Sequence, residues 1–162
     1  MTDRTVDVPA ERIAAAVGRL RARDVAVTES VQGSAIRYET TRPAYHLEVY
    51  VDPPRLIGLE FYLLGDDGSV RLHYYVHSGR YDISQPQHTW FASATATDIV
   101  LFLDALADGG LLAKLDPRRA SLIVPTGAGL RIAKRGRIWT SAGSYRRNRF
   151  AATRNGYWPV PA

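Results

Sequence analysis

A chain of 162 residues, 46% hydrophobic and 23% charged, has the size and composition of one soluble domain with a single substantial core, not of a disordered segment. The absence of cysteine excludes a disulfide framework, a thiol nucleophile and cysteine-ligated zinc. The net charge of +5 is unevenly placed: residues up to Asp116 carry 11 basic and 16 acidic groups, a balance of −5, and the remainder carries ten basic groups and no acid.

The segment PAERIAAAVGRLRARD sets Ile13, Val17 and Leu20, with Ala16 beside them, at helical spacing, while Arg12, Arg19 and Arg23 fall elsewhere. Pro9 and Glu11 suit a first turn, where a missing N–H costs nothing and a carboxylate meets the positive end of the helix dipole. The spacing predicts a helix over about 9–23. The period then changes to two. VAVTESV and AIRYETT, parted by Gly33, predict a hairpin, and AYHLEVYVD, RLIGLEFYLLG and SVRLHYYVHSG predict three longer strands. PPR and DDG between them are short turn sequences of the kind that join antiparallel neighbours, so the strands form a meander. HTWFAS, after the irregular RYDISQPQ, reads as a further strand.

In TATDIVLFLDALADGG, Ile99, Phe102, Leu103 and Leu106 form an apolar stripe. Thr95 and Asp98 resemble a capping box and Gly109–Gly110 a stop, which predicts a helix over about 95–108. Its run IVLFLDALA is broken by Asp104 and falls short of the roughly 20 residues that span a bilayer. The opening MTDRTVDVPAER has no apolar segment of signal type, so a cytoplasmic location is the expectation. ASLIVPT predicts a buried strand, and GLRIAKRGRIWTSAG a hairpin turning near Lys134–Gly136. The expected fold is a single α+β domain over 1–145: an antiparallel meander sheet with both helices on one face, then a C-terminal β-hairpin. Residues 146–162 form a basic, aromatic extension, expected to dock on the domain.

Alternation assigns faces to the central strands. Leu47, Val49, Val51, Ile57, Leu59, Phe61, Val70, Leu72 and Tyr74 share the buried side. The other side carries His46, Glu48, Tyr50, Glu60, Tyr62, Arg71, His73, Tyr75 and His77, with Gly58 among them. Closing both turns in the register that keeps these faces separate puts Glu48, Glu60 and His73 in one row. His46, Tyr62 and Arg71 form the next, and Tyr50, Gly58 and Tyr75 the third. Two carboxylates beside a histidine are the ingredients of acid–base chemistry or a metal site. Three tyrosines among histidines and an arginine are the ingredients of a docking surface.

Other motifs fail on spacing. His73 and His77 lie about 13 Å apart on a strand, too far for one ion. GAGLRI (127–132) has Ile132 where a dinucleotide loop needs glycine, and AKRG lacks the rest of a Walker loop. Neither Ser78 nor Ser144 sits in a Gly-x-Ser-x-Gly elbow. HLE (46–48) matches the His-x-Glu of zinc deaminases, whose cysteines are missing here. No cofactor or metal is expected.

The basic end combines Arg131, Lys134, Arg135, Arg137, Arg146, Arg147, Arg149 and Arg154 with Trp139, Tyr145, Phe150, Tyr157 and Trp158. Alternation in its hairpin puts Arg131, Ala133 and Arg135 on one side. Cations with stacking rings suit nucleic acid. They equally suit an acidic protein partner, or the −5 part of the same chain. The leading expectation is a non-catalytic binding protein that holds a protein partner in a toxin-neutralising (immunity-like) or chaperone-like role. The helix–meander–helix order is shared with such proteins as an analogy of architecture only. Binding of RNA or DNA through the arginine-rich end is the alternative. A hydrolase or nuclease centred on Glu48, Glu60 and His73 is the second alternative.

Overall fold

Pro9 opens the first helix without sacrificing a hydrogen bond, and Ile13, Ala16, Val17 and Leu20 give it one buried stripe. In the computed structural model, which describes residues 8–52, 55–79, 81–134, 137–141 (as backbone) and 156–162, this helix, α1, runs Pro9–Arg21. It ends two residues earlier than expected because Asp24 takes the left-handed conformation (φ 61°), its N–H bonded to the Arg21 carbonyl at 3.0 Å.

The period-two segments form β1 (Thr28–Gln32), β2 (Ala35–Arg42), β3 (Tyr45–Asp52), β4 (Leu56–Leu64) and β5 (Val70–His77). They lie in chain order in one antiparallel sheet. Its inner face presents Leu47, Val49, Leu59, Phe61, Leu72 and Tyr74, all buried. Val70 is a correction: it is 56% exposed, because it lies beyond a bulge in β5.

The second helix begins earlier than its sequence suggests. A 3-10 turn, Pro86–His88, runs directly into α2, Thr89–Ala107, so HTWFAS is helix and not strand. The stripe of Ile99, Phe102, Leu103 and Leu106 extends backward through Ala96 and Ala92 at helical spacing, whereas alternation in HTWFAS covers too few residues to prevail. Thr95 is therefore buried in mid-helix and caps nothing, and Asp98 instead accepts the Gly127 N–H at 2.8 Å. The stop falls where expected. Gly109 (φ 67°) turns the chain, and the Gly110 N–H reaches back to the Ala105 carbonyl at 2.7 Å. By length and composition segment 86–107 is apolar enough to cross a membrane, but here it is the core helix. It packs on α1, on β4 and β5, and on β7 of a second sheet, which explains why apolar residues occur on several of its sides.

That second sheet contains β6 (Leu112–Asp116), β7 (Arg119–Thr126), β8 (Gly129–Lys134), β9 (Arg137–Ser141) and β10 (Trp158–Pro159), in the order β10-β6-β7-β8-β9. The expected hairpin is β8–β9, and β6 and β10 are strands that the sequence pattern does not reveal. Ala113, Leu122 and Ala133 share a register row toward the main core. Leu112 and Ile123, on the other face, join Leu130, Ile132 and Tyr157 in a small separate cluster.

The C-terminal residues edge the second sheet and reach the end of β2. Val160 is fully buried, with its N–H on the Leu111 carbonyl at 2.8 Å. Tyr157 shares a 2.7 Å hydrogen bond with Ser121, and Arg42, at the end of β2, donates to the Ala162 carbonyl at 3.0 Å. The fold is α+β, with two antiparallel sheets and two α-helices among the described residues.

Candidate functional site: the outer face of the first sheet

Each outward side chain on β3–β5 is fixed by buried neighbours on either side of it in the strand. His46, Glu48 and Tyr50 alternate with Tyr45, Leu47, Val49 and Val51, and Glu60 and Tyr62 with Leu59, Phe61 and Leu63. The β3–β4 register is the one expected: His46 faces Tyr62, Glu48 faces Glu60 and Tyr50 faces Gly58.

The β4–β5 register differs by two residues, which changes the rows. Glu60 pairs with Tyr75, Tyr62 with His73, and Gly58 with His77. The turn is the cause. Gly68 adopts φ 76°, the Gly68 N–H bonds the Gly65 carbonyl and the Gly65 N–H the Ser69 carbonyl, both at 2.9 Å. The loop thus has three residues instead of two, in the pattern of a tight turn completed by a left-handed glycine. A second residue is absorbed at Arg71, where the register shifts between Leu63 and Leu64. A shift of two keeps every face from Leu72 onward and moves every row. Glu48, Glu60 and His73 therefore do not form one row, and Arg71 leaves the face, donating to the Asp116 carbonyl at 2.6 Å.

The face holds an electrostatic network and a ladder of rings. Glu48 is the hub. Its Oε1 accepts from Arg37 at 2.6 Å and lies 2.9 Å from the His46 Nε2, and its Oε2 accepts from the Tyr50 hydroxyl. Burial alone would raise the Glu48 pKa, but the hydrogen bonds from His46 and Arg37, with their charges, outweigh it and hold the carboxyl below its usual range. The bond to Glu48 correspondingly raises the Arg37 pKa. Glu60 accepts from the Tyr62 hydroxyl at 2.5 Å, which together with burial pushes that phenol up to about 12. His73 lies 3.9 Å from the same carboxylate. Tyr62 on β4 stacks across on His73 of β5 at 4.5 Å between centroids, and along β5 Tyr75 stacks on His77 at 5.3 Å.

A carboxylate held ionised by three donors is a poor general base near neutral pH, so the network is better built to present charge than to move protons. Arg37, Glu39 and Thr41 were missed in the sequence, although the same alternation in AIRYETT places all three outward. A second aromatic group was missed with the start of α2: Trp90, 60% exposed, with Tyr81, His88 and Phe91 around it.

Of the basic residues, Arg131 shares the core-facing side of β8 with Ala133 and is half-buried, close enough to Tyr74 to act on its hydroxyl. Lys134 is exposed at the end of β8, in register with Arg137. Arg135, Arg146, Arg147, Arg149 and Arg154 lie outside the described residues, as does the Arg137 side chain. No protein-family model matches the chain, and comparison with curated proteins and with solved structures finds no match either.

Proposed function

We propose that this chain is a non-catalytic binding protein of the cytoplasm that holds a protein partner, in a toxin-neutralising or chaperone-like manner, on the outer face of the first sheet. The observation that carries the reading is the composition of that face. Tyrosine and histidine rings stand next to fixed carboxylates and a guanidinium, on strands whose inner side is the core. Rigid aromatic anchors among pre-oriented charged groups lose little entropy on association. Tyr75 is 46% exposed and His73 and Glu60 remain accessible, so the ring ladder has area left to bury.

The test is affinity capture with the full chain from extracts of the cells that make it, comparing wild type with a Tyr62→Ala/Tyr75→Ala variant and a variant with Arg146, Arg147 and Arg149 changed to Gln. A partner retained by the wild type and the arginine variant, but weakened about 30-fold by loss of the rings, supports the reading. Loss only in the arginine variant, together with release of bound nucleic acid by salt, transfers the function to the basic end.

A further inference from the structure

Three carboxylates stand in one register row across neighbouring strands: Glu39 on β2, Glu48 on β3 and Glu60 on β4. Like charges directly opposite one another destabilise a sheet, so this row requires positive charge or hydrogen-bond donors against it. Glu60 has the Tyr62 hydroxyl and His73. Glu39 and Glu48 share a single guanidinium: Arg37 lies 3.4 Å from the first and 2.6 Å from the second. Beside it, the His46 Nε2 is 2.9 Å from Glu48 and 3.7 Å from Glu39.

We propose that Glu39, His46 and Glu48 form a binding site for a divalent transition ion of the zinc class, and that Arg37 is the counter-cation such an ion displaces. One donor atom from each residue lies within 4.8 Å of the others. A tetrahedral ion with bonds of about 2.1 Å separates its ligand atoms by about 3.4 Å, and the two histidine–carboxylate separations fall on either side of that value. The charge of +2 matches that of the two carboxylates.

The donor set selects the ion. An imidazole nitrogen suits zinc and its neighbours and is a poor ligand for magnesium or calcium. On the far side of the ring, the Thr41 Oγ1 lies 2.7 Å from the His46 Nδ1. A hydroxyl can donate or accept, so Thr41 holds the ring in place whether its Nε2 carries a proton or bonds a metal. Tyr38, Thr40, Leu47 and Val49, all buried, anchor the two strands, so the donors are already positioned.

Zinc binding at these residues requires the chain alone and no partner. The test is calorimetric titration of zinc chloride into the metal-free full chain, with cobalt(II) absorption as a spectroscopic check. Wild type is compared with His46→Ala, Thr41→Val, Arg37→Met and the off-site control His77→Ala, each first shown to be folded. The expected result is one zinc per wild-type chain, unaffected by excess magnesium and by His77→Ala. Loss of His46 weakens binding about 100-fold or more, and Thr41→Val weakens it about 10–100-fold. Arg37→Met tightens it. Absence of zinc binding by the wild type, or equal binding by His46→Ala, overturns the site, and weaker binding by Arg37→Met overturns the role given to Arg37.

Discussion

The register between β4 and β5 decides which rings meet on the outer face, and a pair of substitutions tests it. In the observed register Leu72 faces Leu63 and is 2% exposed, whereas Val70, beyond the bulge, is 56% exposed. A two-residue turn would instead put both side chains in the core. Leu72→Ala removes buried methylenes and leaves a cavity, at a cost of about 2–5 kcal/mol. Val70→Ala removes surface that is already in water and should change stability by no more than about 0.5 kcal/mol. The assay is urea unfolding followed by circular dichroism. With a urea dependence of about 2 kcal/mol/M, a 3 kcal/mol loss moves the Leu72→Ala midpoint down by about 1.5 M, while Val70→Ala overlays the wild type. If Val70→Ala loses as much as Leu72→Ala, the register is wrong and Tyr62 does not stack on His73.

Three further outcomes follow from named contacts. Glu48→Gln should lower stability by about 1–2 kcal/mol at pH 7, through loss of charge-assisted bonds partly screened by solvent. The folded Glu48 pKa lies below the ordinary 4.5, so its contribution is present above that value and disappears as pH falls through the folded pKa. Wild-type and Glu48→Gln unfolding midpoints should therefore stay apart from pH 8 to pH 5 and converge as the pH falls through the folded Glu48 pKa, below the ordinary carboxylate range. Gly58→Val should destabilise by about 1–3 kcal/mol despite the strand preference of valine, because a Cβ there meets the His77 Cβ at 3.1 Å and the Val76 carbonyl at 3.3 Å. A raised thermal midpoint in this variant contradicts the close approach of β5. Val160→Asp places an unpaired charge at the buried position that follows β10 and should cost at least about 3 kcal/mol, read as lost cooperativity or a much lower melting temperature.

The sequence reveals whatever repeats. Alternation in β2–β5 is long and regular, so both faces of the first sheet and the β3–β4 register can be read from Tyr45 to Phe61. The DDG turn could not be, because its register depends on Gly68 adopting a left-handed conformation and on a bulge at Arg71, neither of which periodicity encodes. The stripe of α2 is clear from Ile99 onward. Its first two turns are not, since the alanines, serine and threonines at 92–97 fit helix or strand and only packing against the core decides. In β6, Lys114 interrupts a five-residue strand. β10 is two residues long, one of them proline, and exists only because β6 offers an edge beside it. On the candidate face the set of outward rings is legible, but which of them meet is not, since that depends on the β4–β5 register; nor is the hub at Glu48, whose neighbours Arg37 and Glu39 come from β2, where the alternation is shorter.

The most direct test of partner binding is site-specific photocrosslinking inside the cells that make the protein. A photoreactive phenylalanine analogue is placed at Tyr75 on the outer face, and separately at Gln32, exposed at the end of the edge strand β1. One discrete protein adduct is expected from position 75, abolished by Tyr62→Ala, and none from position 32. No adduct from position 75 in a folded, normally expressed chain, or the same adduct from both positions, contradicts it.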